Sequence, residues 1–244
     1  MQLTAIAYAH NGFHSKFGIP RQSGRAKSIM TCIVFEPEFR NADALRGIEQ
    51  FSHLWLIWGF SEAKRKQRGN RTQAAGTHET LTNDWSPTVR PPRLGGNTRI
   101  GVFATRSPFR PNGLGLSSVR LERVEQTGNK GTVLWVSGAD LMDLTPIYDI
   151  KPYLPYTDIH ADANSGFTAQ HDDYRLEVVI AEDIRTEVDE FTRQAIVEIL
   201  SEDPRPQYQD DPDRIYQFEY DNYHICFSVD GHKCYVKEIT PLAI

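Results

Sequence analysis

Between Arg90 and Ser118 the chain reads RPPRLGGNTRIGVFATRSPFRPNGLGLSS, a run that no continuous helix and no central strand can accommodate. Arginine stands at 90, 93, 99, 106 and 110, proline at 91, 92, 108 and 111, and glycine at 95, 96, 101, 113 and 115. Proline fixes φ and removes a backbone donor, and glycine opens the left-handed region or lets another molecule approach closely. Only Ile100 to Thr105, with Val102 and Phe103 inside, predicts a buried strand. Rigid loops that carry guanidinium groups suit phosphate, carboxylate or a stacked base. A turn cluster with solvated arginines has the same composition, and composition alone does not separate the two.

The rest of the chain is ordinary for a globular protein, with 39% hydrophobic and 24% charged residues over 244 positions. That length allows one large or two small domains. The longest apolar run, Phe51 to Phe60, falls short of the roughly 18 residues that a membrane helix needs. The first ten residues lack the basic and apolar regions of a secretory signal, and three cysteines (Cys32, Cys226 and Cys234) fit a reducing, cytoplasmic setting. Charge is distributed unevenly. Residues 1–160 carry 20 Lys+Arg against 13 Asp+Glu, net +7, and residues 161–244 carry net −12. The basic part suits a polyanion such as RNA or a nucleotide.

Hydrophobic patterning predicts strands at 2–9, 29–35, 51–60, 119–126 and 132–137, with a short helix over 41–50. The polar loop 10–26 has a basic centre at Pro20, Arg21 and Gln22. His53 reads as a satisfied core histidine. The polar run from Ser61 to Trp85 contains KRKQRGNR at 64–71, which suits either RNA phosphates or solvent. Residues 138–156, GADLMDLTPIYDIKPYLPY, read as a stiff folded loop that gathers Asp140, Asp143, Asp149, Lys151, Tyr153 and Tyr156. Aspartates that merely cap turns would give the same pattern. A linker follows at 158–173. Then come a strand at 175–181, an amphipathic helix within 183–202 and three strands at 214–220, 224–230 and 234–240. The expected architecture is a mainly β first domain (1–157), a β-barrel or sandwich, and a small α+β C-terminal domain (174–244).

No G-x-G-x-x-G follows a strand, so a Rossmann cofactor fold is not expected. Walker, C-x-x-C, H-E-x-x-H and G-x-S-x-G motifs are missing as well. His10 and His14 have no third ligand nearby in sequence, and no metal site is expected.

PPRLGGN (91–97), GVFATRSPFRPN (101–112), DLMDLTPIYDIKPYLPY (140–156), KFGIPRQ (16–22), NADALRGIEQFSHLWLI (41–57) and EDPRPQY (202–208) resemble the TsaA-like (TrmO/YaeB) family. The resemblance spans nearly the whole chain. It implies a non-Rossmann β-barrel that binds S-adenosyl-L-methionine, a homodimer, and methylation of N6 of N6-threonylcarbamoyladenosine at position 37 of threonine-type tRNA. It also implies cofactor contacts from Pro20, Arg21, Gln22, Arg106, Leu116 and the loop Asp140, Leu141, Met142 and Asp143. Methyl transfer by direct in-line attack of N6 needs a route for the departing proton. Asp149 oriented by Tyr153 is the expected base, and Arg110 and Lys151 are expected to meet the threonyl carboxylate or tRNA phosphate. A non-catalytic RNA- or nucleotide-binding barrel, or a methyltransferase with another substrate, would use the same parts. The chain departs from the family pattern in three places. Ser61 and Glu62 replace a common histidine–glutamine pair, the connection 63–83 is longer, and Asn112-Gly113-Leu114-Gly115 replaces N-P-I-G, which predicts a looser turn.

Overall fold

The computed structural model describes residues 3–60, 85–91, 94, 97–171, 174–185, 188–205 and 211–242. Six strands make the first body: β1 (Ala7–His10), β2 (Met30–Phe35), β3 (His53–Gly59), β6 (Leu114–Thr127), β7 (Gly131–Ser137) and β8 (Pro146–Pro152). Two short strands, β4 (Thr88–Val89) and β5 (Ile100–Gly101), pair with each other, and among the described residues with no other strand. The six pair antiparallel in the order β1-β2-β7-β6-β3-β8, and β8 pairs back onto β1, so the sheet closes into a barrel. Its interior is filled by alternating apolar residues, among them Ala9, Ile33, Leu54, Leu56, Val119, Leu134, Val136 and Ile147.

β3 is not buried on both faces as its unbroken apolar run predicts. Leu54, Leu56 and Trp58 face the barrel interior, and the alternate residues Trp55 and Ile57 lie half-buried on the outside. His53 is on that outer face too, against the Tyr153 ring at 6.2 Å. The segment 140–156 is only partly a loop. Its centre is strand β8, whose prolines sit at the two ends, where a missing N–H costs least. A bulge between Ile57 and Trp58 sets Asp149 opposite Ile57 and Ile147 opposite Trp58.

The helix predicted over 41–50 is instead two 3₁₀ turns, Ala42–Leu45 and Ile48–Gln50, interrupted by Gly47 at φ 88°. The strand predicted from Ile100 to Thr105 stops at Gly101. There the Val102 N–H turns to the Pro87 carbonyl, and Thr105 closes a 3₁₀ turn by donating its N–H and hydroxyl to the Val102 carbonyl. Gly113, at φ 57°, donates its N–H to the Arg110 carbonyl. A proline could supply neither that φ nor that bond.

The second body contains β9 (Glu177–Ile180), β10 (Tyr216–Tyr220), β11 (Tyr223–Asp230) and β12 (Lys233–Pro241), in the order β10-β11-β12-β9. Helix α1 (Pro155–Asp158) follows the barrel. Helices α2 (Glu182–Arg185) and α3 (Glu190–Ser201) stand where one helix was predicted. Asp189 starts α3 by accepting the N–H groups of Phe191 and Thr192. Cys226 and Cys234 are not cross-strand partners, because Cys226 pairs with Glu238 and Cys234 with Val229.

The core of this second body is not made by residues 174–244 alone. Phe13, Ala26 and Ile29 belong to it, and Phe17 and Ile19 pack against it. The loop between β1 and β2 thus leaves the barrel, enters the neighbouring core and returns.

Candidate functional site

A cleft of about 610 Å³ opens where that loop passes β3 and β6, reached from both faces of β3. One wall is apolar and includes Trp55, Ile57, Trp58, Phe60, Leu114 and Leu116. The lining also includes the polar residues Lys16, Arg21, Gln22, Thr105, Arg106, Arg110 and Asp140. Polar groups that converge on an apolar recess are the usual make-up of a small-molecule site, and this one is unusually rich in charge.

The carboxylate of the lining is Asp140. It accepts a hydrogen bond from the Ser117 hydroxyl, whose oxygen accepts the Trp58 Nε1–H at 2.9 Å. This relay exists because Gly115 lies opposite Trp58 in the β3–β6 register; a Cβ there would stand 2.3 Å from the indole. Burial pushes the Asp140 carboxyl above the usual carboxylate range, against the opposing pull of the Ser117 hydrogen bond and the Arg106 charge. Across the cleft, Arg106 donates to Gln22 Oε1 at 2.5 Å. Arg110 is folded back onto its own loop and donates to the Thr105 carbonyl at 2.8 Å. Trp55 is pinned by its Nε1–H to Asp158 at 2.9 Å, a carboxylate that also accepts the Leu154 N–H. Those two bonds hold the Asp158 pKa below its usual value.

Arg21 is positioned by the second body. Its guanidinium donates to the Arg205 carbonyl at 3.1 Å and the Asp203 carbonyl at 3.5 Å. Asp203 and Arg205 are themselves buried and joined by two charge-assisted hydrogen bonds of 2.8 and 3.0 Å. Nearby, Arg25 pairs with Glu202 at 3.1 Å, and Glu198 accepts both the N–H and the hydroxyl of Ser28. The loop that carries Pro20, Arg21 and Gln22 is therefore held at several points along its length.

Of the residues singled out from sequence, Pro20, Arg21, Gln22, Arg106, Arg110, Leu116, Asp140 and Met142 all line the cleft. Leu141 is in the barrel core and offers only its carbonyl, to Asn11. Asp143 lies behind the wall, 3.5 Å from His10, and accepts the Asn11 N–H. Asp149 and Lys151 form an ion pair of 3.0 Å on the outer face of β8, and Tyr153 packs on Trp55 at 5.4 Å. These three border the cleft through Ile57 and Trp55 and do not line it. The segment 64–71 lies outside the described residues, as do Ser61 and Glu62. Sequence reasoning missed Trp58, Phe60, Thr105 and Ser117. Alternation along β3 was the signal available for Trp58, because it separates the inner face from the outer one. Nothing local marks Ser117, whose role comes from its two partners.

The tRNA-methyltransferase O N-terminal domain model matches residues 8–159, and the TrmO C-terminal domain model matches residues 173–242. The chain belongs to the TrmO family. It is 36% identical over 214 residues to the tRNA (adenine(37)-N6)-methyltransferase of Escherichia coli K12, covering 85% of this chain and 83% of that protein. It is 40% identical, with the same coverage, to a putative S-adenosylmethionine-dependent methyltransferase of Pseudomonas aeruginosa. A crystal structure of TrmO from Pseudomonas aeruginosa superposes with a TM-score of 0.73 at 30% identity, covering 98% of both chains. The TrmO likeness thus extends over both bodies and the loop that ties them together.

Proposed function

We propose that this chain is an S-adenosyl-L-methionine-dependent tRNA methyltransferase that acts on N6 of N6-threonylcarbamoyladenosine at position 37. The observation that carries the reading is the charge arrangement of the cleft: a half-buried carboxyl, Asp140, and guanidinium groups, Arg21 and Arg106, around apolar side chains. That set fits an amino-acid-bearing nucleoside. Asp140 suits the ammonium, Arg21 or Arg106 the carboxylate, Gln22 and Thr105 the ribose hydroxyls, and Trp55, Ile57 and Leu116 the adenine faces. Bound there, the cofactor supplies an electrophilic methyl group and needs no metal. The chain's own work is to orient the two reactants and exclude water, which the apolar wall favours. Within this reading the barrel, residues 1–157, is a cofactor domain built without a Rossmann sheet, and residues 174–244 act by holding Arg21. A homodimer, threonine-type tRNA and a cytoplasmic setting belong to the same proposal and rest on family resemblance. Among the described residues no helix is long and apolar enough to cross a membrane.

The test is to incubate the protein with threonylcarbamoylated tRNA and methyl-labelled cofactor, then hydrolyse the RNA and identify the labelled nucleoside. Label in N6-methylated threonylcarbamoyladenosine is the expected result. RNA binding without methyl incorporation would return the non-catalytic barrel, and label in another product would return a different substrate.

Asp149 is proposed as the base that receives the N6 proton, with Tyr153 and Lys151 beside it at the edge of the cleft. Asp149→Asn is expected to lower kcat by about a hundredfold or more, the usual range for a general base, while leaving the cofactor Kd unchanged. Full turnover in that variant would remove Asp149 from the mechanism.

A further inference from the structure

Beside the cleft stands a group of aromatic side chains that the cofactor site does not use. Phe103 is 71% exposed, Trp85 43% and Phe109 49%. Trp85 and Phe103 stack on each other with ring centroids 6.2 Å apart and planes within 22°. Three tethers hold them. The β4–β5 pairing joins Thr88 to Gly101, the Val102 N–H donates to the Pro87 carbonyl, and the Ser86 N–H donates to the Phe109 carbonyl at 3.2 Å. Val102 is buried in the same 3₁₀ turn that turns Phe103 outward. Rings that cover no core but are held by backbone bonds on both sides form an exposed, fixed surface.

Their surroundings select the ligand. From Trp85 to Leu116 the sequence contains five arginines and no aspartate or glutamate. Arg99 donates to Thr88 Oγ1 at 2.9 Å across the β4–β5 pair, next to the rings. Arg106 and Arg110 follow Phe103 in the chain and lead directly into the cleft. Flat aromatic faces in an arginine-rich stretch, with Asp84 the one acidic residue adjoining it in sequence, match single-stranded nucleic acid, which offers a π-face on each base and a phosphate between successive bases. A second copy of this chain would bring the same five arginines per protomer against their like, which disfavours self-association through this patch.

We propose that Trp85 and Phe103, with Phe109 at their side, form a stacking platform for the unpaired bases that flank the target nucleoside, and that Arg99 binds the intervening phosphate. This rests on the tRNA methyltransferase reading above and deepens it. The cleft holds the cofactor and the modified base, and the platform sets the register of the neighbouring loop nucleotides. It therefore contributes to KM for RNA, and the chemical step is independent of it.

The experiment compares wild type, Trp85→Ala/Phe103→Ala and the aromatic-retaining Trp85→Phe/Phe103→Tyr. It measures the KM for tRNA, kcat at saturating tRNA, the cofactor Kd, the Kd for an anticodon stem-loop RNA, and mass by sedimentation equilibrium. The double alanine variant is expected to raise both RNA constants roughly tenfold to a hundredfold, from one or two lost base stacks. kcat, the cofactor Kd and mass stay at wild-type values, and the aromatic variant restores the RNA constants. Unchanged RNA constants in the alanine variant overturn the platform. So does a change of mass without a change in RNA affinity, which would make the patch a self-association surface. If wild type transfers no methyl to tRNA but the alanine variant still binds the stem-loop more weakly, the platform stands and the methyltransferase reading falls.

Discussion

Asp140→Asn is expected to weaken cofactor binding about tenfold to a hundredfold at neutral pH and, at the same time, to raise the melting temperature of the ligand-free protein. The two effects have opposite signs because one carboxyl serves both. In the ligand-free protein, burial lifts the Asp140 pKa above its ordinary value. A carboxyl whose folded pKa lies above its unfolded one favours folding only while protonated. That contribution is complete below the unfolded pKa and is lost as pH rises through the folded one. At neutral pH asparagine removes the burial penalty and can still accept the Ser117 hydroxyl. It cannot pair with the ammonium proposed to sit beside Asp140, and a charge-assisted hydrogen bond of that kind contributes about 1.5–3 kcal/mol.

The pH dependence supplies a second reading of the same pair. Binding of a cation next to Asp140 lowers its pKa, so binding releases a proton. Wild-type affinity should therefore fall as pH drops through the raised Asp140 pKa, and that dependence should vanish in Asp140→Asn. Isothermal titration in buffers of different ionisation enthalpy, together with thermal melts of the ligand-free proteins, measures both. Equal cofactor affinity in the two proteins would separate Asp140 from the ligand.

Asp203→Ala is expected to give the largest loss of stability, about 3–5 kcal/mol, because it leaves the buried Arg205 guanidinium without its counter-charge. It also removes the acceptor of the Tyr174 hydroxyl and places alanine at φ 50°, a conformation that aspartate and asparagine tolerate better. Asp203→Asn keeps the shape and the backbone preference and is expected to cost less. Denaturant unfolding measures both. The consequence for function reaches the cleft through Arg21, whose guanidinium is held by the Asp203 and Arg205 carbonyls. Cofactor Kd, measured well below the unfolding transition, should therefore rise in Asp203→Ala although residue 203 is on the second body. A variant that loses stability and keeps wild-type cofactor affinity would show that Arg21 needs no such anchor.

That coupling explains a feature of the sequence that composition left open. The positive first part and the negative second part meet inside the molecule. Arg25 binds Glu202, Ser28 binds Glu198, and Arg21 binds the backbone beside Asp203. Part of the acidic excess is structural and fastens a basic loop whose far side lines the cleft.

Much of the architecture was legible in the chain itself. Period-two alternation and β-branched runs located strands β2, β3, β7 and β9 to β12 within a few residues, because those segments have one apolar face to bury. Proline and glycine density between 90 and 118 forced an irregular segment there, and the ATRSPFRPN, KFGIPRQ and DLMD motifs carried the family and most of the cleft lining. What local sequence could not decide was anything fixed by a partner far along the chain. Phe103 has the β-propensity of a strand residue, yet the Pro87 carbonyl captures the preceding backbone and turns it outward. Ser117 becomes a relay only because Gly115 leaves room for Trp58 and Asp140 arrives from the β7–β8 connection. Residues 10–26 read as a polar loop and Ile29 as the start of a strand, and only the closed barrel beside an incomplete second core gives Phe13, Ala26 and Ile29 their place in that core. The sequence alone determined which residue types stand ready for an ammonium, a carboxylate and an adenine. Tertiary structure decided which of them converge, because burial and hydrogen bonding between residues as distant in sequence as His14 and Asp221, 207 positions apart, are properties of the folded chain and not of any segment of it.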